Sequence, residues 1–264
     1  MASESMPCRI EAVPVLDDNY VWVLHDGRHA LVVDPGEGPP VEAWLRARGL
    51  ALAHILVTHH HGDHIGGVAH LRQAWPAVQV SAPGDDRIPL ADRRVSEGDL
   101  VESPAPACRF QVWSVPGHTR SHVAYVGDGV VFCGDTLFSA GCGRLFEGTP
   151  AQMLASLRRL ASLPEDTALC CTHEYTQGNC AFALHVDPGN GELGKYAAWV
   201  AAQRRQGLPT LPGRIGRERA VNPFLRSDTP AIREALQRER GLPAGADDIE
   251  AFAALRAWKD GFRA

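Results

Sequence analysis

The stretch that most constrains this chain is Thr58-His59-His60-His61-Gly62-Asp63-His64, set directly after the apolar run Ala53-His54-Ile55-Leu56-Val57 and before Ile65-Gly66-Gly67-Val68. Aliphatic and β-branched residues passing into a polar run, and then into a helix-like pattern, predict a strand, a tight turn and a helix start. On an extended segment alternate side chains share a face, so His59 and His61 are predicted to point together and His60 the other way. A sharp turn at Gly62 then aims Asp63 and His64 at the same volume. Three imidazoles and a carboxylate so placed form a metal-ligand set, because neutral imidazole suits zinc, iron and related ions and a carboxylate can join two cations.

A fold that carries ligands at one strand end can carry them at others. Apolar runs at Ala12–Val15, Tyr20–Leu24 and Ala30–Val33 predict strands, the last two joined as a hairpin by His25–His29, and Val41–Arg48 a short helix closed by Gly49. The motif strand leads into a helix from His64 to Trp75, then a strand at Val78–Val80. Ala82–Pro106, rich in Pro, Asp and Arg, is predicted to be surface loop with at most short strands. Three further strands follow at Phe110–Val115, His122–Val126 and Val130–Cys133. The first runs into Pro116-Gly117-His118 and the third into Gly134-Asp135-Thr136. Thr149-Pro150 starts a helix reaching Ser162. A last strand, Ala168–Cys171, ends in Thr172-His173-Glu174-Tyr175. Beyond Tyr175 the strand signal stops, and helix-like patterns at 179–185, 193–205, 230–240 and 249–262 are separated by Pro- and Gly-rich connectors such as Leu208–Arg214. That change predicts two domains, 1–173 and 174–264.

A chain of 264 residues, 45% hydrophobic, can bury a substantial core, and a net charge of −5 with pI near 6.2 gives no general reason to bind nucleic acid or anionic membrane. No stretch approaches eighteen apolar residues, and Met1–Arg9 lacks the pattern of a secretory leader, so a cytoplasmic location is expected. Seven scattered cysteines without a C-x-x-C pair are expected to be free thiols.

The motif His59-x-His61-x-Asp63-His64 resembles the signature of the metallo-β-lactamase superfamily, and His118, Asp135 and His173 match that family's later ligands. The resemblance implies an α/β fold, an αββα sandwich with, in this chain, a C-terminal helical domain. It also implies two divalent ions, zinc first and iron or manganese compatible with the same donors. His59, His61 and His118 would hold one, Asp63, His64 and His173 the other, with Asp135 bridging. His54, His70, His122 and His185 have no part in that scheme. Two such ions bring the pKa of a shared, bridging water from roughly 16 toward neutrality and polarise a carbonyl, which suits acyl hydrolysis with Asp63 and Asp135 as the catalytic carboxylates.

Longer stretches narrow the resemblance. Ser139-Ala140-Gly141-Cys142-Gly143-Arg144-Leu145-Phe146-Glu147-Gly148-Thr149, Thr172–Thr176, Asn222–Arg226 and Arg256-Ala257-Trp258-Lys259-Asp260 are similar to the glyoxalase II (hydroxyacylglutathione hydrolase) family. That family's glutathione contacts carry over to Arg144, Tyr175, Arg256 and Lys259. Phe146 departs where some members have Tyr and so lacks the hydroxyl donor; Ser121 departs where the family often has Gly. The implied reaction is hydrolysis of S-D-lactoylglutathione and other S-2-hydroxyacylglutathiones to D-lactate, or the matching hydroxy acid, and glutathione, the second step of methylglyoxal detoxification. The expected partner is this small-molecule thioester, with no nucleic acid and no membrane, and the working unit a monomer.

One residue pattern supports this independently. On a helical wheel Phe252, Leu255, Trp258 and Phe262 form an apolar stripe with Lys259 inside it and Arg256 beside it, an arrangement suited to holding an anion between domains. The rivals are a single-iron persulfide dioxygenase of the same superfamily, a nuclease, and a metal-binding scaffold without turnover. The helical domain and its Arg256/Lys259 pair favour hydrolysis, the acidic chain disfavours a nuclease, and the full ligand set disfavours a scaffold.

Overall fold

The structure, a computed structural model, describes residues 8–263, so all but the last two residues of the Met1–Arg9 stretch read for a leader pattern, and the outermost ends of both expected domains, lie outside the described residues. Residues up to Ser114 together with Ser121–Gly134 form one compact unit, and Val115–Arg120 with the residues from Asp135 onward form a second. The expected boundary at 173/174 falls inside the second unit.

The first unit runs β1 (Arg9–Val15), β2 (Asn19–His25), β3 (His29–Val33), α1 (Pro39–Ala47), β4 (Ala51–Leu56), α2 (Gly62–Ile65), α3 (Val68–Ala74), β5 (Gln79–Pro83), β6 (Arg93–Val95), β7 (Leu100–Pro104), β8 (Ala107–Ser114), β9 (Val123–Gly127) and β10 (Val130–Gly134). Strands β1 to β6 make one sheet in sequence order, antiparallel through β3 and parallel beyond it. Parallel strands need covered crossovers, and the helices provide them. Val21, Val23, Val32, Ile55 and Val80 share a cluster with Val41 and Leu45 of α1 and Val68 and Leu71 of α3. The alternate residues Trp22, Leu24, Leu31 and Leu56 are buried as well, so both faces of the sheet are covered. Strands β7 to β10 pair antiparallel in order, and the Tyr125 hydroxyl of β9 lies 2.9 Å from the Val57 carbonyl, tying these strands to the chain just past β4.

One expectation of the first unit is corrected. The helix predicted from His64 to Trp75 is two short helices, broken at Gly66-Gly67. The backbone of residues 35–38 passes so close that a Cβ on Gly66 would stand 2.6 Å from the Gly36 carbonyl oxygen, and one on Gly67 2.5 Å from the carbonyl carbon of Glu37. The stretch 82–106 agrees with the expectation of at most short strands: it holds the three-residue β6 and the five-residue β7, which pairs with β8.

The second unit runs β11 (Leu137–Phe138), β12 (Gly141–Cys142), α4 (Pro150–Ala161), β13 (Ala168–Cys171), α5 (Thr176–Val186), α6 (Gly191–Arg205), β14 (Gly213–Arg214), α7 (Ile215–Val221), α8 (Pro230–Arg240) and α9 (Asp248–Gly261). Helix α4 starts where Thr149-Pro150 predicts: Thr149 Oγ1 accepts from the Gln152 amide at 3.3 Å and Gln152 Oε1 accepts from the Thr149 amide at 2.9 Å. Strand β14, which pairs antiparallel with β13, corrects the expectation that strands end at Tyr175. Helix α7 was not predicted. No helix among the described residues is long and apolar enough to cross a membrane.

Candidate metal site

The first unit holds four ligand candidates just past β4. Thr58 and His59 lie in a bend rather than on an extended strand, so it is the bend, not strand alternation, that brings His59 Nε2 within 3.0 Å of His61 Nδ1. Two ligands of one tetrahedral ion with bonds near 2.05 Å stand about 3.3 Å apart, and this pair is close to that spacing. Gly62 does not provide a special turn: its φ is not positive, a Cβ there would meet nothing within 4 Å, and it simply opens α2. Helix α2 then places Asp63 and His64 together, His64 Nε2 lying 3.6 Å from Asp63 Oδ2.

The hydrogen bonds beneath these residues fix which nitrogen is left for a cation. Asp34, buried in the loop after β3, accepts from His64 Nδ1 at 3.0 Å and from the Thr58 amide and hydroxyl, both at 2.7 Å. With its one hydrogen directed to Asp34, the Thr58 hydroxyl accepts from His59 Nδ1 at 3.1 Å. One carboxylate therefore sets the tautomers of two histidines and leaves both Nε2 atoms as lone-pair donors, the usual support for metal-ligating imidazoles. Asp34 is the residue that sequence reasoning missed; Asp34-Pro35-Gly36 reads as a turn, and only its φ of +53° and its burial mark it as more. Asn19 donates to Asp63 Oδ2 at 3.2 Å and orients that carboxylate.

His60 turns toward Asp85, its Nδ1 3.6 Å from Oδ2. The departure Ser121 donates to the same Asp85 oxygen at 2.6 Å, and Arg87 clamps that carboxylate through two donors at 2.8 Å. The Arg87 guanidinium foremost, with Ser121 also donating, holds the Asp85 carboxyl far below the usual carboxylate range. His122 lies stacked on His59 with centroids 4.5 Å apart. His54 is a buried core histidine bonded to Ser81 Oγ at 2.9 Å, its pKa pulled down to about 4 by burial. His70 pairs with Glu42 at 2.6 Å, and His185 packs edge-on to Trp258.

The second unit holds the other three candidates. Asp135 Oδ2 lies 3.4 Å from His118 Nε2 and 3.3 Å from His173 Nε2, so two imidazoles converge on one carboxylate oxygen. His118 Nδ1 donates to the Arg144 carbonyl at 2.9 Å, which leaves Nε2 as its lone-pair donor. Gly143 makes this compact: a Cβ there would stand 1.9 Å from the Asp135 carbonyl oxygen. Around these residues, Tyr175 stacks on His173 at 4.6 Å with rings 3° from parallel, and the exposed Phe146 ring sits edge-on to His118 at 5.2 Å.

Arg144, Arg256 and Lys259 meet at the C-terminal end of α9. Arg144 Nε is 3.7 Å and Arg256 Nη2 2.9 Å from Asp260 Oδ1. Arg256 is buried, donates to the Cys142 carbonyl at 2.8 Å and lies over the Phe224 ring. Lys259 is half-buried, its Nζ donating to the Gly178 carbonyl at 3.2 Å and lying 5.3 Å above Phe182. Burial first, and the neighbouring Arg256 charge second, pull the Lys259 ammonium down to about 8.

Comparisons with known proteins sharpen what these residues belong to. The profile of the metallo-beta-lactamase superfamily matches residues 15–173, and that of the hydroxyacylglutathione hydrolase C-terminus matches 174–262. A hydroxyacylglutathione hydrolase of Cupriavidus metallidurans is 53% identical over 97% of this chain and 99% of its own length. That of Xanthomonas campestris pv. campestris is 53% identical over 97% of this chain and its whole length. The chain belongs to the hydroxyacylglutathione hydrolase family. The crystal structure of ETHE1 from Myxococcus xanthus covers 96% of the chain with a TM-score of 0.63 at 24% identity. The crystal structure of the B3 metallo-beta-lactamase BLEG-1 covers 82% with a TM-score of 0.62, also at 24%. Both show the metallo-β-lactamase fold, and the residues matching the hydroxyacylglutathione hydrolase C-terminus, 174–262, are largely helical. Family membership brings divalent-metal binding with it, and the Nε2 lone pairs of His59 and His64 in the first unit, and that of His118 in the second, are of the donor type that such a cation takes.

Proposed function

We propose that the protein hydrolyses S-D-lactoylglutathione and other S-2-hydroxyacylglutathiones, releasing glutathione and the hydroxy acid, as the second step of methylglyoxal detoxification. Two divalent ions, zinc first among them, are assigned to His59, His61 and His118 and to Asp63, His64 and His173, with Asp135 shared. The observation that carries the reading is the convergence of His118 and His173 on a single oxygen of Asp135, in a chain of this family. When bound, the ions would lower the pKa of a water and polarise the thioester carbonyl.

The chain's own residues do the rest. Asp34 holds His59 and His64 in one tautomer, and Asn19 holds Asp63 so that its carboxylate can accept a proton from the attacking water. Residues 174–264 serve as the substrate-binding domain, with Lys259, Arg144 and Tyr175 receiving the glutathione part. Arg256, bonded to Cys142 and Asp260, contributes positive field from beneath rather than an exposed donor. Phe146 offers ring surface where a Tyr would offer a hydroxyl. The seven free thiols suit a reducing cytoplasm, and the working unit is read as a monomer.

The test is Asp135→Ala, assayed for metal content and for glutathione release from S-D-lactoylglutathione. Loss of both, with the strand core still folded by circular dichroism, is expected. Near-wild-type turnover with two bound ions would overturn the assignment.

A further inference from the structure

Leu16 stands in a place that packing does not explain. It opens the three-residue turn between β1 and β2 with φ of +53°, a backbone region that aliphatic residues rarely occupy and that Gly or Asn would hold without strain. Nor does it gain burial in return, since it is 49% exposed. The conformation is held from outside: its amide donates to Glu37 Oε2 at 2.8 Å.

Glu37 belongs to the loop that builds the metal site. In that loop Asp34 bonds to His64 and Thr58, and Gly36 packs against Asp63. A Cβ on Gly36 would lie 2.2 Å from the Asp63 carbonyl oxygen and 3.3 Å from Leu16 Cδ1, so both press on the same face of that glycine. An exposed aliphatic side chain is thus fixed next to a residue assigned to the reacting centre. The cationic residues suited to glutathione's carboxylates, Arg144 and Lys259, belong to the other unit. Leu16 is apolar, which fits the other half of a thioester.

We infer that Leu16 is a specificity-determining residue that packs against the side chain of the substrate's acyl group. The inference rests on the hydrolase reading above. It predicts discrimination among acyl groups by apolar size, with the glutathione half kept constant.

The experiment compares S-glycoloyl-, S-D-lactoyl- and S-mandeloylglutathione, which share a 2-hydroxyacyl core and differ in apolar side chain, on wild type, Leu16→Ala and Leu16→Phe. Leu16→Ala is expected to leave glycoloyl hydrolysis nearly unchanged and to lower kcat/KM about threefold for lactoyl and about tenfold for mandeloyl, since a methylene-sized contact in a pocket discriminates by roughly ten- to 200-fold at most. Leu16→Phe is expected to keep or raise the mandeloyl rate. Metal content should equal wild type in both. Equal loss on all three substrates, or loss of metal, would show that Leu16 only supports the loop and would overturn the inference. Failure of wild type to cleave any of the three would instead remove the hydrolase reading itself.

Discussion

Asp34 shows how one buried side chain can decide the state of a whole site. Its two oxygens take three donors, and the consequence is that His59 and His64 both present Nε2 as acceptors. Supporting residues of this kind are worth roughly 10- to 100-fold in metal affinity. Asp34→Ala is expected to weaken binding of the more labile ion by that factor, as read by competition with a chromophoric chelator, while Glu37→Ala, in the same loop but off the histidines, stays within about threefold of wild type. Equal affinities for Asp34→Ala and wild type would show that the histidines orient themselves. Lys259 gives a prediction in pH. Its pKa lies at about 8, so it is charged below that pH and neutral above it. An anionic substrate prefers the charged form, so kcat/KM, which reports the free enzyme, is expected to fall as pH rises through about 8, with Lys259→Arg removing the fall. A profile identical in both forms would detach Lys259 from substrate binding. Of these two residues, Lys259 was legible in the sequence because a cation in an apolar helical stripe is anomalous by itself. Asp34 was not, because its meaning depends on partners 24 and 30 residues away.

At the scale of elements, the least legible part was α7, a short, charged helix, Ile-Gly-Arg-Glu-Arg-Ala-Val, with no amphipathic run to announce it. Yet Glu218 from its middle is fully buried and holds the β11–β12 hairpin, accepting from Ser139 Oγ and the Ala140 amide, each at 2.7 Å, and from Asn222 Nδ2 at 3.1 Å. Burial pushes its pKa up, and these donors oppose the shift. The hairpin lies between Asp135 and Arg144, whose carbonyl orients His118. Glu218→Ala would leave the buried Ala140 amide without its acceptor, while Ser139 keeps the Tyr196 hydroxyl and Asn222 keeps the Phe138 and Gly141 carbonyls, at a cost of about 2 kcal/mol, which for a chain of this size lowers Tm by roughly 4 to 8 °C. Calorimetry reads this directly, and a Tm within about 2 °C of wild type would show that the hairpin is held by packing alone. Strands, by contrast, were legible where β-branched runs were long. The break at Gly66-Gly67 was not, since the loop that demands it comes 30 residues earlier in the chain.

For the whole molecule, the order of ligand types along the chain was readable because each sits just past an apolar run: β4 before His59, β8 before His118, β10 before Asp135 and β13 before His173. What pattern could not supply was the division into compact units, because residues 115–120 leave one unit and 121–134 return to it. Two bound ions and one water-driven thioester cleavage are the proposed working state of this protein. It is tested most directly by stripping the protein of metal with a chelator and titrating zinc back while following glutathione release from S-D-lactoylglutathione in an oxygen-electrode cell. No release is expected from the stripped protein, with activity rising to a plateau at two equivalents of zinc per chain and no oxygen uptake. A plateau at one equivalent, release from the metal-free protein, or oxygen consumed with turnover would contradict it.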